Sequence, residues 1–165
     1  MLIFQKILII FDCMNKAARY ERIYEQISGL MQKCTDRHAR MATVCAVLHY
    51  KMPGFFWTGF YLLQDDRLMA ATYQGPVACM ELTKNKGVCW KSIFSDQTII
   101  VPDVHQFADH IACDARSKSE IAVPFHNLSG EIIGVLDVDS ENLNSFDETD
   151  AEWLEKIIDL IIRVS

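Results

Sequence analysis

Residues 119–140 read SEIAVPFHNLSGEIIGVLDVDS. Two apolar runs, Ser119 to His126 and Glu131 to Asp139, flank the tetrapeptide Asn127-Leu128-Ser129-Gly130, whose residue types are those of a turn. The pattern predicts a β-hairpin. Side chains alternate faces along a strand, so Asp137 and Asp139 share one face. Closing the hairpin with His126 opposite Glu131 brings Glu120 opposite Asp137 and leaves Asp139 on the diagonal. A slip of two residues would keep that face and change the neighbours.

Three carboxylates on one patch are costly. Like charges directly opposite each other destabilise a sheet, and burial and mutual repulsion both raise a carboxylate's pKa. Such a patch either binds a cation or holds a proton for delivery. The plainer reading is a solvated strand end. The residues alone leave both open.

Outward from the hairpin, the rest of the chain supplies helices and a second hairpin. Ser145-Phe146-Asp147-Glu148 has the spacing of a capping box, with Ser145 as the cap. It opens a terminal helix with Trp153, Leu154, Ile157, Ile158, Leu160 and Ile161 on its apolar side. At the other end Tyr20, Ile23, Tyr24, Ile27, Leu30 and Met31 form one helical stripe. A second helix is predicted over Asp36 to Tyr50, ended by Pro53 and Gly54. The period then changes to two. Phe55 to Leu63 and Arg67 to Tyr73 read as strands joined at Asp65-Asp66. Residues 74–87 read as irregular, Val88 to Phe94 as a short helix, Thr98 to Val101 as a brief strand and Pro102 to Lys118 as a long loop. Loops of that length within compact domains tend to carry function. Strand hairpins between terminal helices predict an α+β domain in which helices cover a central antiparallel sheet.

The chain has 165 residues, enough for one domain with a real core. Its net charge of −6 supplies no basic footprint for nucleic acid, and no Lys/Arg run suits an anionic membrane. The apolar run Ile7 to Phe11 is too short to span a bilayer and no small-residue cleavage site follows it. The expectation is a cytoplasmic protein with reduced thiols, with residues 1–13 an extension and Met14 the native start.

Six cysteines require an account. Cys34 and Cys45 fall in predicted helices, where a thiol behaves as a small buried hydrophobe. Cys13 lies in the extension. Cys79, Cys89 and Cys113 fall in irregular stretches. Cys89 follows Gly87 near a helix start, where the dipole favours a thiolate. Cys113 has His110 and Arg116 three residues away on either side, and positive charge lowers a thiol pKa. The spacings fit no common paired-ligand zinc pattern. No nucleophile elbow and no phosphate loop is present. Thiol chemistry or ligand binding remains.

The segments WTGFY (57–61), QGPVAC (74–79), GVC (87–89), VPDVH (101–105), HIACDA (110–115), SKSEI (117–121) and GVLDVDS (134–140) together resemble the free methionine-(R)-sulfoxide reductases, a GAF-domain family. With the helical flanks, the resemblance covers residues 14–165. It implies a single GAF domain that reduces the R sulfoxide of free methionine. On that resemblance Cys113 is the attacking cysteine, and Cys79 and Cys89 are resolving partners in an order left open. Glu120, Asp137 and Asp139 form an acidic substrate pocket, with Trp57 and Tyr61 as its aromatic wall. The family implies a thioredoxin-type reductant and no metal or organic cofactor, and a homodimer stays open. Trp90 stands where the family commonly has Gly, which would crowd the Cys89 loop. The alternative is a GAF module that binds a ligand or senses oxidants through its thiols without turnover.

Overall fold

The computed structural model describes the backbone of residues 2–110 and 113–163, and side chains from residue 16 onward. Cys13 therefore lies outside the side chains described. Four helices and six strands follow one another in the order α1 (Leu2–Met31), α2 (Arg37–Lys51), β1 (Trp57–Gln64), β2 (Arg67–Gln74), β3 (Glu81–Leu82), α3 (Gly87–Ser95), β4 (Ile99–Val101), β5 (Ser119–His126), β6 (Ile132–Ser140) and α4 (Glu148–Ile162). A 3₁₀ turn at Val104–Gln106 interrupts the long loop before β5. None of the described helices is long and apolar enough to cross a membrane.

The strands form one sheet in the order β3-β2-β1-β6-β5-β4, with every pairing antiparallel. This is the α+β architecture expected. The alternation of side chains divides the sheet into two faces. Phe60, Leu62, Ile121, Val123, Phe125, Leu136 and Val138 point to the face covered by α1, α2 and α4, where they meet the predicted stripes of those helices. Burying each such side chain contributes roughly 1.5–3 kcal/mol. Trp57, Tyr61, Ala122 and Val135 point to the other face, under α3 and the loops.

The decisive hairpin forms, but two residues out of the expected register. Glu120 faces Asp139, and Asp137 faces Ala122. The turn explains the shift. Asn127 N–H donates to the Glu131 carbonyl at 2.9 Å, and the Asn127 side chain accepts from Ser129 N and Glu131 N. Glu131 is thus consumed by the turn, and His126 pairs with Ile132 instead. A bulge between Phe125 and His126 then absorbs one more residue of β6. The net slip is even, so both aspartates keep their face.

Other expectations shift more modestly. The first hairpin turns at Asp65 and Asp66, both with positive φ (47° and 62°), a conformation that Asp tolerates. Within residues 74–87, expected to be irregular, Glu81–Leu82 adds a short edge strand to β2. Helix α4 is capped by Asp147 and not by Ser145. The Asp147 side chain accepts from Thr149 N and Asp150 N, while Asp150 accepts from Asp147 N at 2.8 Å. Tertiary contacts favour this cap, because Lys16 and Tyr20 of α1 also hold Asp150. Ser145 bonds to Ser140 Oγ instead. Cys45 is buried as expected, whereas Cys34 is exposed in the link between α1 and α2 and not inside a helix.

Candidate active site

Burying one face of β1, β5 and β6 under a short helix and two loops leaves a cavity with an empty volume of about 560 Å³, its mouth included. Trp57 and Tyr61 line it from β1, Glu120 from β5, and Asp137 and Asp139 from β6. Cys89 reaches it from α3, and His110 and Cys113 from the loop before β5. That size suits a small molecule.

Gly59 shapes the aromatic wall. It sits between Trp57 and Tyr61 on β1, and a Cβ there would collide with the Trp57 ring and the Tyr73 side chain. Without one, the Trp57 indole lies over the strand. It stacks on Tyr61 at 5.6 Å between ring centroids and on Tyr73 at 5.4 Å. Offset stacking of this kind favours a fixed ring orientation. The Trp57 Nε1–H is buried without a protein partner.

The acidic patch is buried. Glu120 is 6% exposed and Asp137 7%. Burial pushes both carboxyls well above the usual carboxylate range, and the charge of Asp139 pushes further in the same direction. A hydrogen bond between the two favours the ionised form of Glu120 and the protonated form of Asp137. Asp137 therefore holds the shared proton, and its Oδ1 is buried with no partner. Asp139 is half-buried and raised to about 6 by burial, offset in part by a hydrogen bond from Ser117. His110 Nε2 lies 3.6 Å from Glu120. Burial holds its imidazole below its ordinary value, against the pull of Asp139.

Cys79 and Cys113 are joined in a disulfide, with Cα atoms 5.5 Å apart. Cys113 is exposed and Cys79 half-buried. Cys89 is a free, buried thiol whose Sγ lies 3.9 Å from Glu120 Oε1. Sγ of Cys89 and carboxylate oxygens of Glu120 and Asp137 lie within 4.8 Å of one another, close enough to hold a metal ion. All three are held above their ordinary pKa values, so a metal would have to displace their protons.

The GAF domain family matches residues 34–162. A GAF domain-containing protein A of Dictyostelium discoideum is 45% identical over 89% of this chain and 92% of its own length. The free methionine-R-sulfoxide reductase of Escherichia coli is 36% identical over 92% of this chain and 91% of its own. A free methionine-R-sulfoxide reductase from Neisseria meningitidis, solved in complex with its substrate, superposes with a TM-score of 0.84. It is 42% identical and covers 88% of this chain and 87% of that one. The chain belongs to the free methionine-R-sulfoxide reductase family.

All eight residues that the family resemblance singles out converge on this one region. Seven line the cavity, and Cys79 reaches it through its bond to Cys113. Three local arguments fare differently. The start of α3 does not make Cys89 a thiolate. Burial and the charges of Asp137 and Glu120 push its thiol well up, and they outweigh a helix dipole that acts only over the first turn. Arg116 is committed to Asp114, with contacts at 3.0 and 2.8 Å, and lies 4.5 Å over the Phe56 ring. His110 pairs with Glu120. Neither basic residue is therefore placed simply as a charge for Cys113. Trp90 does not crowd a mobile loop, because Cys89 sits in the first turn of α3 and Trp90 packs beneath it, 3% exposed and stacked on Phe94.

Sequence reasoning missed Ser117 and undervalued His110. Ser117 is buried and bonds Asp139. Its only local signal is its place three residues before Glu120, on the approach to β5.

Proposed function

We propose that this GAF unit, residues 14–165, is an oxidoreductase that reduces free L-methionine-(R)-sulfoxide to methionine. One observation carries the reading: a nucleophile, a protonated acid and an aromatic wall share a single cavity sized for an amino acid. The reductases of this family named for that substrate support it.

A sulfoxide sulfur becomes electrophilic when its oxygen is protonated or strongly hydrogen-bonded. Asp137 carries a proton at the cavity wall for this purpose. Ionised Glu120 and Asp139 receive the substrate ammonium, which favours a free amino acid over a peptide. The S-methyl end rests on Trp57 and Tyr61. Cys113, as thiolate, attacks the sulfur. The S–O oxygen passes to Cys113, the thioether leaves as methionine, and Cys113 becomes a sulfenic acid. The Cys79 thiol then attacks Cys113 Sγ and water departs, leaving the disulfide described above. A thioredoxin-type dithiol resets both thiols and is itself oxidised.

An assay of both methionine sulfoxide epimers, free and peptide-bound, with a thioredoxin system tests this. Activity is expected on the free R epimer alone and is expected to vanish in Cys113→Ser. Near-normal turnover by that variant would sink the assignment. A thiol sensor without turnover would leave the buried acidic trio without a role.

A further inference from the structure

The disulfide uses two of the three cysteines at the site and leaves Cys89 to be explained. We infer that Cys89 is a positioning residue: its buried thiol donates to Glu120 and thereby fixes Glu120 as the ionised member, and Asp137 as the protonated member, of the carboxyl pair. The inference rests on the proposed function of the same site.

The geometry has three parts. Cys89 is 4% exposed, so its sulfur is shielded from oxidants and from an external dithiol. Its Sγ lies 3.9 Å from Glu120 Oε1, within reach of a sulfur donor. Glu120 also bonds Asp137, and His110 lies 3.6 Å away on its other oxygen. Glu120 is thus surrounded by donors, whereas Asp137 Oδ1 has no partner and faces the cavity. Two carboxyls sharing one proton are nearly equivalent when isolated. A third donor on one of them breaks the tie. The donor must be neutral and unreactive to persist there, and a buried thiol is both. A resolving role would require Cys89 to leave this contact and reach Cys113, whose partner is already Cys79.

The groups facing the pair are Cys89 from α3, Tyr61 from β1, Asp139 from β6, and His110 from the loop before β5. The test compares Cys89→Ala with Cys89→Ser. Removing the donor makes the ionised pair less favourable, so the pair holds its proton to higher pH. The basic limb of kcat/KM in Cys89→Ala should move up by about half a pH unit or more. Cys89→Ser, with a hydroxyl donor of similar size, should return it to the wild-type position or below. Both variants should still form the Cys79–Cys113 disulfide after one turnover, seen by mass spectrometry. Carboxyl-labelled ¹³C NMR titration of the reduced proteins should show the same upward shift without any turnover. An unmoved limb and unmoved carboxyl titration in Cys89→Ala would overturn the inference. So would failure of Cys89→Ala to form the disulfide, which would make Cys89 the resolving thiol. If the wild-type protein fails to reduce the free R sulfoxide, the proposed function fails instead, and the NMR titration still decides the role of Cys89.

Discussion

Glu120 faces Asp139 directly across the β5–β6 hairpin, with Asp137 on the same face opposite only Ala122. A sheet pays for such a pairing unless protons or a ligand relieve it. Asp139 is raised to about 6 from an ordinary value of 3.8. A carboxyl raised on folding stabilises the native state fully below its unfolded value, and that contribution is lost as pH rises through the folded value. Here the window runs from about pH 4 to about 6. Asp139→Asn should therefore raise Tm at pH 8, by about 2–4 °C for each kcal/mol of repulsion relieved, and change it little at pH 4. Thermal unfolding by circular dichroism at both pH values checks this. Equal shifts at the two would mean that the charge is not the cause.

Cys79→Ser separates the reduction of substrate from the closure of the disulfide. Cys113 remains in the cavity, so one equivalent of methionine should still be released. The sulfenic acid then lacks its partner and should accumulate, trappable by a dimedone-type reagent. Turnover with a thioredoxin-type dithiol should stop after that single equivalent. Continued turnover with no trapped adduct would remove Cys79 from the mechanism.

Gly59→Ala probes the aromatic wall. The added Cβ meets the Trp57 ring and the Tyr73 side chain, neither of which has free space to move into. Overpacking of this kind costs about 1–3 kcal/mol. Stability should fall by that amount in urea titration. KM should rise more than kcat falls, because the wall binds substrate and takes no part in proton delivery. An unchanged KM would show that the Trp57–Tyr61 stack does not contact the substrate.

Local signals made the faces of the sheet legible but not its exact pairing. Alternation placed Asp137 and Asp139 together, and no even slip could separate them. The slip itself came from Asn127, whose side chain bonds two backbone N–H groups and closes a longer turn than residue types alone suggest. The α4 cap was misplaced for a related reason. Ser145 and Asp147 both have the right chemistry locally, and Lys16 and Tyr20, more than 120 residues away, favour the box that includes Asp150. The thiols were harder still. A cysteine beside a helix start and a cysteine between two basic residues both look activated in one dimension. In three, burial governs Cys89, and Asp114 and Glu120 claim the basic residues near Cys113. Charge in sequence says little until its partners are known.

Arg40 gives the most direct test of what holds the helical layer together. The last turns of α1 and α4 carry no basic residue, so neither helix answers its own C-terminal dipole. Arg40 of α2 does so for both. It is 3% exposed, and its guanidinium donates to Met31 O at 2.7 Å, Cys34 O at 2.6 Å, Ile161 O at 3.1 Å and Arg163 O at 2.9 Å. No carboxylate forms a salt bridge with it among the described residues, so these carbonyls are what hold its charge. A hydrogen bond to a charged group contributes about 1.5–3 kcal/mol, and truncation would leave several partly buried carbonyls unpaired. Arg40→Met, which keeps the apolar stem, should destabilise the fold by about 3 kcal/mol or more, read as a lower urea midpoint. Arg40→Lys should recover only part of this, because an ammonium cannot reproduce the fork that spans two helix ends. Arg40 belongs to the helical face of the sheet, so KM in the folded fraction should not change. Full recovery by Lys would show that charge alone, and not the geometry of the guanidinium, ties α1 to α4.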